Sequence, residues 1–240
     1  PARRRWEIVG VYAVLVGTLF LGWSFAPLLL TGVFLGVSAW HFGEGDVRGV
    51  LHHPPSNALS VSRGLAVVGV PILAHWTHTS PILVAMSQEV ALANVPPAWC
   101  TVLAGLLVFQ HGVFLIHHHV SHRLVFESLG LLVAMMVAPA LVGFALYFGL
   151  WHAPSHIRAV QRARQAAPSL LLRSLEYGAA TIGLALVGFA WHYADSASHW
   201  MTASAISAAL ISLASLTIPH AILVDFWSRQ HLRPSAPIRR

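Results

Sequence analysis

Residues 97–118 read PAWCTVLAGLLVFQHGVFLIHH, a run with no charged side chain. An α-helix needs about 20 apolar residues to cross the hydrocarbon core of a bilayer, so this stretch has the length and chemistry of a span. Further apolar runs flank it on both sides, separated by charges, prolines and polar clusters. They predict spans over 8–25, 27–42, 61–77, 97–118, 124–138, 139–157, 169–193 and 203–226, with the fifth and sixth divided near Pro139. Residues 81–94 are expected to form an interfacial helix or loop.

Composition agrees with that reading. Of the 240 residues, 56% are hydrophobic and 9% are charged, and the mean hydropathy is +0.68. Soluble domains carry roughly 25% charged residues, so this chain could not cover a water-facing surface. The expected fold is therefore all-α, a polytopic transmembrane bundle of about eight spans forming one integral membrane domain over 1–240. The first apolar run is long and continues into another, which does not resemble a cleavable signal peptide.

The formal charge of +6 comes from arginine alone. The arginines are scattered between apolar runs, a pattern that suits membrane orientation and lipid contact rather than nucleic acid. With Arg3, Arg4 and Arg5 inside, the expected crossings put Arg48 and Arg63 in one cytoplasmic stretch. Arg123 falls in the next inside loop, Arg158, Arg162 and Arg164 in the one after, and Arg229, Arg233, Arg239 and Arg240 in a cytoplasmic tail. The outside segments 78–96 and 194–202 hold none. Localisation in the cell inner membrane, multi-pass and with a cytoplasmic C-terminus, follows from the positive-inside rule. Cys100 is the only cysteine, which excludes an internal disulfide, a cysteine-rich zinc site and an iron–sulfur cluster.

The chain has 16 histidines. His52, His53 and His231 read as polar surface in loops or tail, and His75, His78, His192 and His199 as interfacial side chains. His41, His152, His156 and His220 differ, because they fall near the inner ends of the second, sixth and eighth spans. Polar groups at such depth are costly and usually line a cavity or bind something. His152 and His156 are spaced i, i+4, where two imidazoles on one helical face can grip one metal. A buried hydrogen-bonded pair is the alternative for HxxxH alone, but the two further histidines at matching depth favour a metal. Histidine ligation without thiolate suits iron, copper, zinc or nickel. Glu44, Asp46, Glu127 and Asp225 are carboxylates that could orient the ligand rings from behind. His118 and His122 form a second HxxxH within the cluster His117, His118, His119, His122 and Arg123, which reads as a basic interfacial patch or as part of a second metal site. His111 is a reserve ligand.

The stretches AWHFGEGD (39–46), FESLGLL (126–132), APALVGFALYFGLWH (138–152), YFGLWHAPSH (147–156) and SLTIPHAILVDF (215–226) resemble the motifs of the Brp/Blh membrane family of β-carotene 15,15′-dioxygenases. The resemblance runs in order through almost the whole chain. It implies cleavage of β-carotene at its central double bond, with Fe(II) and O₂, to two retinals that a microbial rhodopsin would receive. By the same resemblance, an iron-ligating histidine falls on His41 with its aspartate on Asp46. The family's HxxxH falls on His152 and His156, and its P-H motif on Pro219 and His220. The family's earlier G-x-P-H-G-A-x-D motif has no counterpart, for residues 1–40 hold no histidine. The chain is therefore expected to lack the segment that supplies a first histidine. Pro154 within the pair should kink that helix.

The carotenoid would enter from lipid into a cavity lined by Trp40, Phe42, Phe144, Tyr147, Phe148 and Trp151. No Ser-His-Asp arrangement is evident. The alternatives are a membrane di-iron hydroxylase or desaturase built on both HxxxH pairs, and a non-enzymatic histidine-rich transporter or b-type cytochrome.

Overall fold

The helices begin and end where the sequence places helix-starting and helix-breaking chemistry. In a computed structural model, residues 2–50, 56–118, 120–154 and 199–231 are described, and every regular element among them is helical. Helix α1 spans Ala2–Gly22 and α2 Pro27–Val50. Helix α3, Asn57–Ala74, starts at Ser56, whose hydroxyl accepts the Leu59 N–H at 3.2 Å, the usual N-cap device. Helix α4, Trp76–Ser87, ends at Gln88 in a left-handed conformation, φ 57°. A 3₁₀ turn, Val90–Asn94, follows, and α5, Pro97–His117, has proline in its first turn, where no N–H is missed. Helix α6 spans His122–Val137 and α7 Ala140–Leu146, with the break at Pro139 where the apolar run was divided. A π-helical turn, Tyr147–His152, extends α7. The last described helix, α8, spans His199–His231.

Several expectations are corrected. Residues 81–94 hold the second half of α4, which begins earlier at Trp76, and a 3₁₀ turn. Helix α2 does not stop near residue 42. Two glycines and two acids follow there, yet the helix runs on to Val50 because Asp46 finds its counter-charge sideways, with Arg63 Nε at 3.0 Å. Arg63 is accordingly not a cytoplasmic loop charge. It lies within α3 and is buried. Ahead of Pro154 lies a π turn, in which the Ala153 N–H reaches back to the Phe148 carbonyl, and the helix beyond Pro154, where a kink was expected, lies outside the described residues. A π turn widens the helix by one residue just where proline would clash with its preceding turn. The expected span 169–193 lies outside the described residues.

Helices α2 and α3 are pressed together backbone to backbone. A Cβ built on Gly43 would land on the Ser60 carbonyl oxygen, and one on Gly64 on the Ala39 carbonyl oxygen. Glycine is what permits this approach. Against that pair lies a core of Phe42, Ala66, Val67, Val70, Leu132, Met135 and Tyr147. Helix α3 also packs on α5, and α8 packs on α1, α2 and α4. Trp23 ties the α1–α2 turn to α4 through an indole N–H donated to the Met86 carbonyl at 2.9 Å.

Polarity runs inside out. Ser60, Ser62, Arg63, Asp46, His111 and Ser128 are buried, whereas Trp99, Phe109 and Ile116 of α5 are 71%, 68% and 69% exposed. Among the described residues two helices, Asn57–Ala74 and Pro97–His117, are long and apolar enough to cross a membrane, and the apolar segments 10–22, 125–137, 140–152 and 206–222 are shorter.

Candidate metal centre

The motif HFGEGD on α2 divides its work by helical position. His41 and Gly45 lie one turn apart on one face, as do Phe42 and Asp46. Gly43 meets α3, and Gly45 makes room for the π turn, since a Cβ there would lie 3.2 Å from His152 Cε1. His152 thereby reaches α2 from α7. Its Nδ1 is 3.0 Å from Asp46 Oδ1. A carboxylate only accepts, so in the neutral ring Nδ1 bears the proton and Nε2 is the lone-pair nitrogen, the one that a metal needs.

The His41 ring stands 5.6 Å, centre to centre, from that of His152 and 5.9 Å from that of His220 on α8. Imidazoles sharing one ion at about 2.1 Å would place ring centres roughly 4.5–6 Å apart. Among the described residues no group of three or more His, Cys, Asp or Glu side chains is placed so that it could hold a metal ion. What is present is a cluster of histidine rings drawn from three helices, with a carboxylate behind one of them. His156 lies outside the described residues, as does the side chain of Asp225.

Asp46 is the hub. Oδ1 meets His152, while Oδ2 accepts from Arg63 Nε at 3.0 Å and from the Tyr147 hydroxyl at 3.0 Å. Arg63 donates through Nη1 to Ser128 Oγ, and its guanidinium carbon lies 5.6 Å from the Trp151 ring centre, within cation–π range. His111 bridges Ser62 through Nδ1 and Ser128 through Nε2, each at 3.1 Å. Both its nitrogens are thus engaged, so the reserve ligand is a buttress in this arrangement. Glu127 sits beside Ser128 on α6, and Glu44 is buried on α2.

The candidate lining residues mostly gather. Phe42 faces His152 at 4.7 Å, Phe144 at 5.6 Å, Tyr147 at 5.7 Å and Phe148 at 6.4 Å between ring centres. Phe144, Phe148 and Trp151 pack on the same core as Phe42, whereas Trp40 is not part of that cluster. Tyr147 has a second role that its aromatic character did not announce. It is fully buried, and its hydroxyl serves Asp46. Tyr147→Phe should lower stability by about 1.5–3 kcal/mol, the usual worth of a hydrogen bond to a charged group, read by unfolding in detergent. Unchanged stability with an altered KM would instead make Tyr147 a substrate contact.

The second HxxxH does not form a helical pair. Helix α5 ends at His117, His118 caps it, and His122 opens α6. His118 Nε2 lies 3.1 Å from Ser56 Oγ, at the start of α3. Sequence reasoning missed Arg63 and Ser128. Arg63 carried a usable signal, since it is the one charge in the otherwise apolar run 57–74.

Comparison with known proteins gives a consistent picture. The profile of the β-carotene 15,15′-dioxygenase family matches residues 1–228. A β-carotene 15,15′-dioxygenase from an uncultured marine bacterium is 26% identical over 93% of this chain and 81% of its own length. A probable β-carotene 15,15′-dioxygenase, Blh, from Halobacterium salinarum is 27% identical over 94% of this chain and 75% of its own. No solved structure is significantly similar to the chain.

Proposed function

We infer that this chain, which belongs to the β-carotene 15,15′-dioxygenase family, cleaves β-carotene oxidatively to retinal. In the balanced reaction one β-carotene and one O₂ give two retinals. The observation that best supports the reading is the meeting of His41, His152 and His220 with Asp46 behind His152. We propose that these histidines, with His156, hold Fe(II). The donor set fits. Neutral imidazoles suit divalent iron, and a carboxylate on Nδ1 is the outer partner that fixes a ligating histidine's tautomer. When bound, the iron supplies activation of O₂.

The chain's own side chains do the rest. Asp46 orients His152, and Phe42, Phe144, Phe148 and Trp151 offer aromatic surface to a polyene and keep water away. Trp40 and Tyr147 complete the proposed lining, and Glu127 is a further outer partner for the ligands. The outward apolar faces of α5 and α6 support an inner-membrane, multi-pass protein that draws carotenoid from lipid. A cytoplasmic C-terminus rests on the arginines other than Arg63. Retinal would pass to a rhodopsin.

Expression in a host that accumulates β-carotene tests the function directly. Retinal should appear as β-carotene falls, with one iron per chain. Hydroxylated C40 products and two irons would replace the reading with a di-iron hydroxylase. A Soret band without retinal would indicate a cytochrome.

A further inference from the structure

Arg63 and Asp46 are both buried, which makes their pair costly unless every donor and acceptor has a purpose. A purely charge-neutralising partner would need only one positive group near Asp46. Arg63 does more than that. Its Nε is spent on Asp46 Oδ2 and its Nη1 on Ser128, its plane lies by Trp151, and only Nη2 is buried without a hydrogen-bond partner among the described residues. Ser128 is held in turn by His111, which is braced by Ser62, the residue before Arg63. The loop of contacts closes through α3, α5 and α6 and leaves the guanidinium one orientation. Arginine's rigid fork suits such a task, and lysine's single flexible ammonium does not.

We propose that Arg63 is a positioning residue for His152: clamped between Ser128 and Trp151, it fixes the Asp46 carboxylate that holds His152 Nδ1, and so sets the direction in which Nε2 faces. The inference rests on the reading above that His152 ligates iron. Asp46 links the two because its Oδ2 is held by Arg63 and Tyr147 while Oδ1 is 3.0 Å from the imidazole. Rotation of the carboxylate would turn the ring, and a ring turned a few tens of degrees no longer aims its lone pair at the ion. Sites of this kind lose function when the supporting shell loosens, even with every ligand present.

The test uses the full chain in detergent, as wild type, Arg63→Lys, Ser128→Ala and His152→Ala. Iron affinity, the visible spectrum of the Co(II)-loaded protein, and kcat and KM for β-carotene are measured. Arg63→Lys keeps the charge but loses the fork. It should lower iron affinity or kcat about 10–100-fold, the range for outer partners of metal ligands, and shift the cobalt spectrum while KM changes little. Ser128→Ala should move the same readouts in the same direction, by less. Wild-type iron affinity and cobalt spectrum in Arg63→Lys would overturn the proposal, because charge alone would then suffice. Should Arg63→Lys not fold, Ser128→Ala decides by the same readouts. His152→Ala separates the two levels. If it keeps its iron, the ligand reading fails. If it loses iron while the Arg63 and Ser128 variants match wild type, only the positioning role fails.

Discussion

Alanine at His41 or at His152 should remove most of the iron proposed to bind there and all detectable retinal formation, with iron affinity falling by more than about 100-fold, beyond the range typical of outer partners. The physical reason lies in the donor set. A site built from neutral imidazoles has few ligands, so the loss of one is not readily made good by the others. His41 stands next to both His152 and His220, so its loss opens the cluster at its centre. His220→Ala should reduce iron in the same way. His118→Ala should leave iron content unchanged, because its ring meets Ser56 rather than the cluster. Metal analysis of purified protein and retinal extraction read both outcomes. Wild-type iron and activity in a folded His41→Ala protein would remove the centre proposed above.

Gly64→Ala should prevent the bundle from forming normally, at a cost of about 3 kcal/mol or more, at or beyond the top of the usual range for overpacking. Most small-to-large changes are softened because the neighbour is the tip of a flexible side chain. Here the new methyl meets the Ala39 carbonyl oxygen, and Gly43→Ala meets that of Ser60. Relief requires α2 and α3 to move apart as whole helices. That movement would also separate Asp46 from Arg63, since each lies within three residues of one of the glycines. The control is Gly105→Ala on α5, where a Cβ meets nothing within 4 Å. There alanine should be tolerated and even gain about 1 kcal/mol of helix propensity. The yield of folded protein in detergent and its unfolding midpoint separate the two. Equal stability of Gly64→Ala and Gly105→Ala would mean that the close crossing is not required.

The two glycine positions show how far a linear reading can go. Gly43 and Gly64 stand in unremarkable company in the sequence, and nothing local says that each faces the other's helix. Contact between backbones is a property of two elements, and no window on one of them contains it. The same holds for Arg63. Its place in an apolar run was visible, yet a charge near a span end satisfies the positive-inside rule equally well. Only the position of Asp46, 17 residues earlier on another helix, made it an interior residue.

Tyr147 illustrates a subtler limit. Its type and its closeness to His152 marked it as an aromatic of the site, and its ring does lie 5.9 Å from that of His152. The use of its hydroxyl depended on the π turn, because one extra residue per turn changes which side chains of 147–152 face α2. Pro154 was legible in the sequence, but the π turn ahead of it was not.

By itself, the order of residues determined that the chain is helical and where most helices start and stop, and it carries motifs that resemble those of the β-carotene 15,15′-dioxygenase family, to which the chain belongs. Those properties follow from apolar run length, from proline and capping residues, and from motifs that retain local spacing. Tertiary structure alone decided that Asp46 is a hub with three partners, that His111 is held between Ser62 and Ser128, and that His118 and His122 are parted by a helix end. Hydrogen bonds act over about 3 Å, and residues 17 to 106 positions apart come within that distance only after the helices have packed.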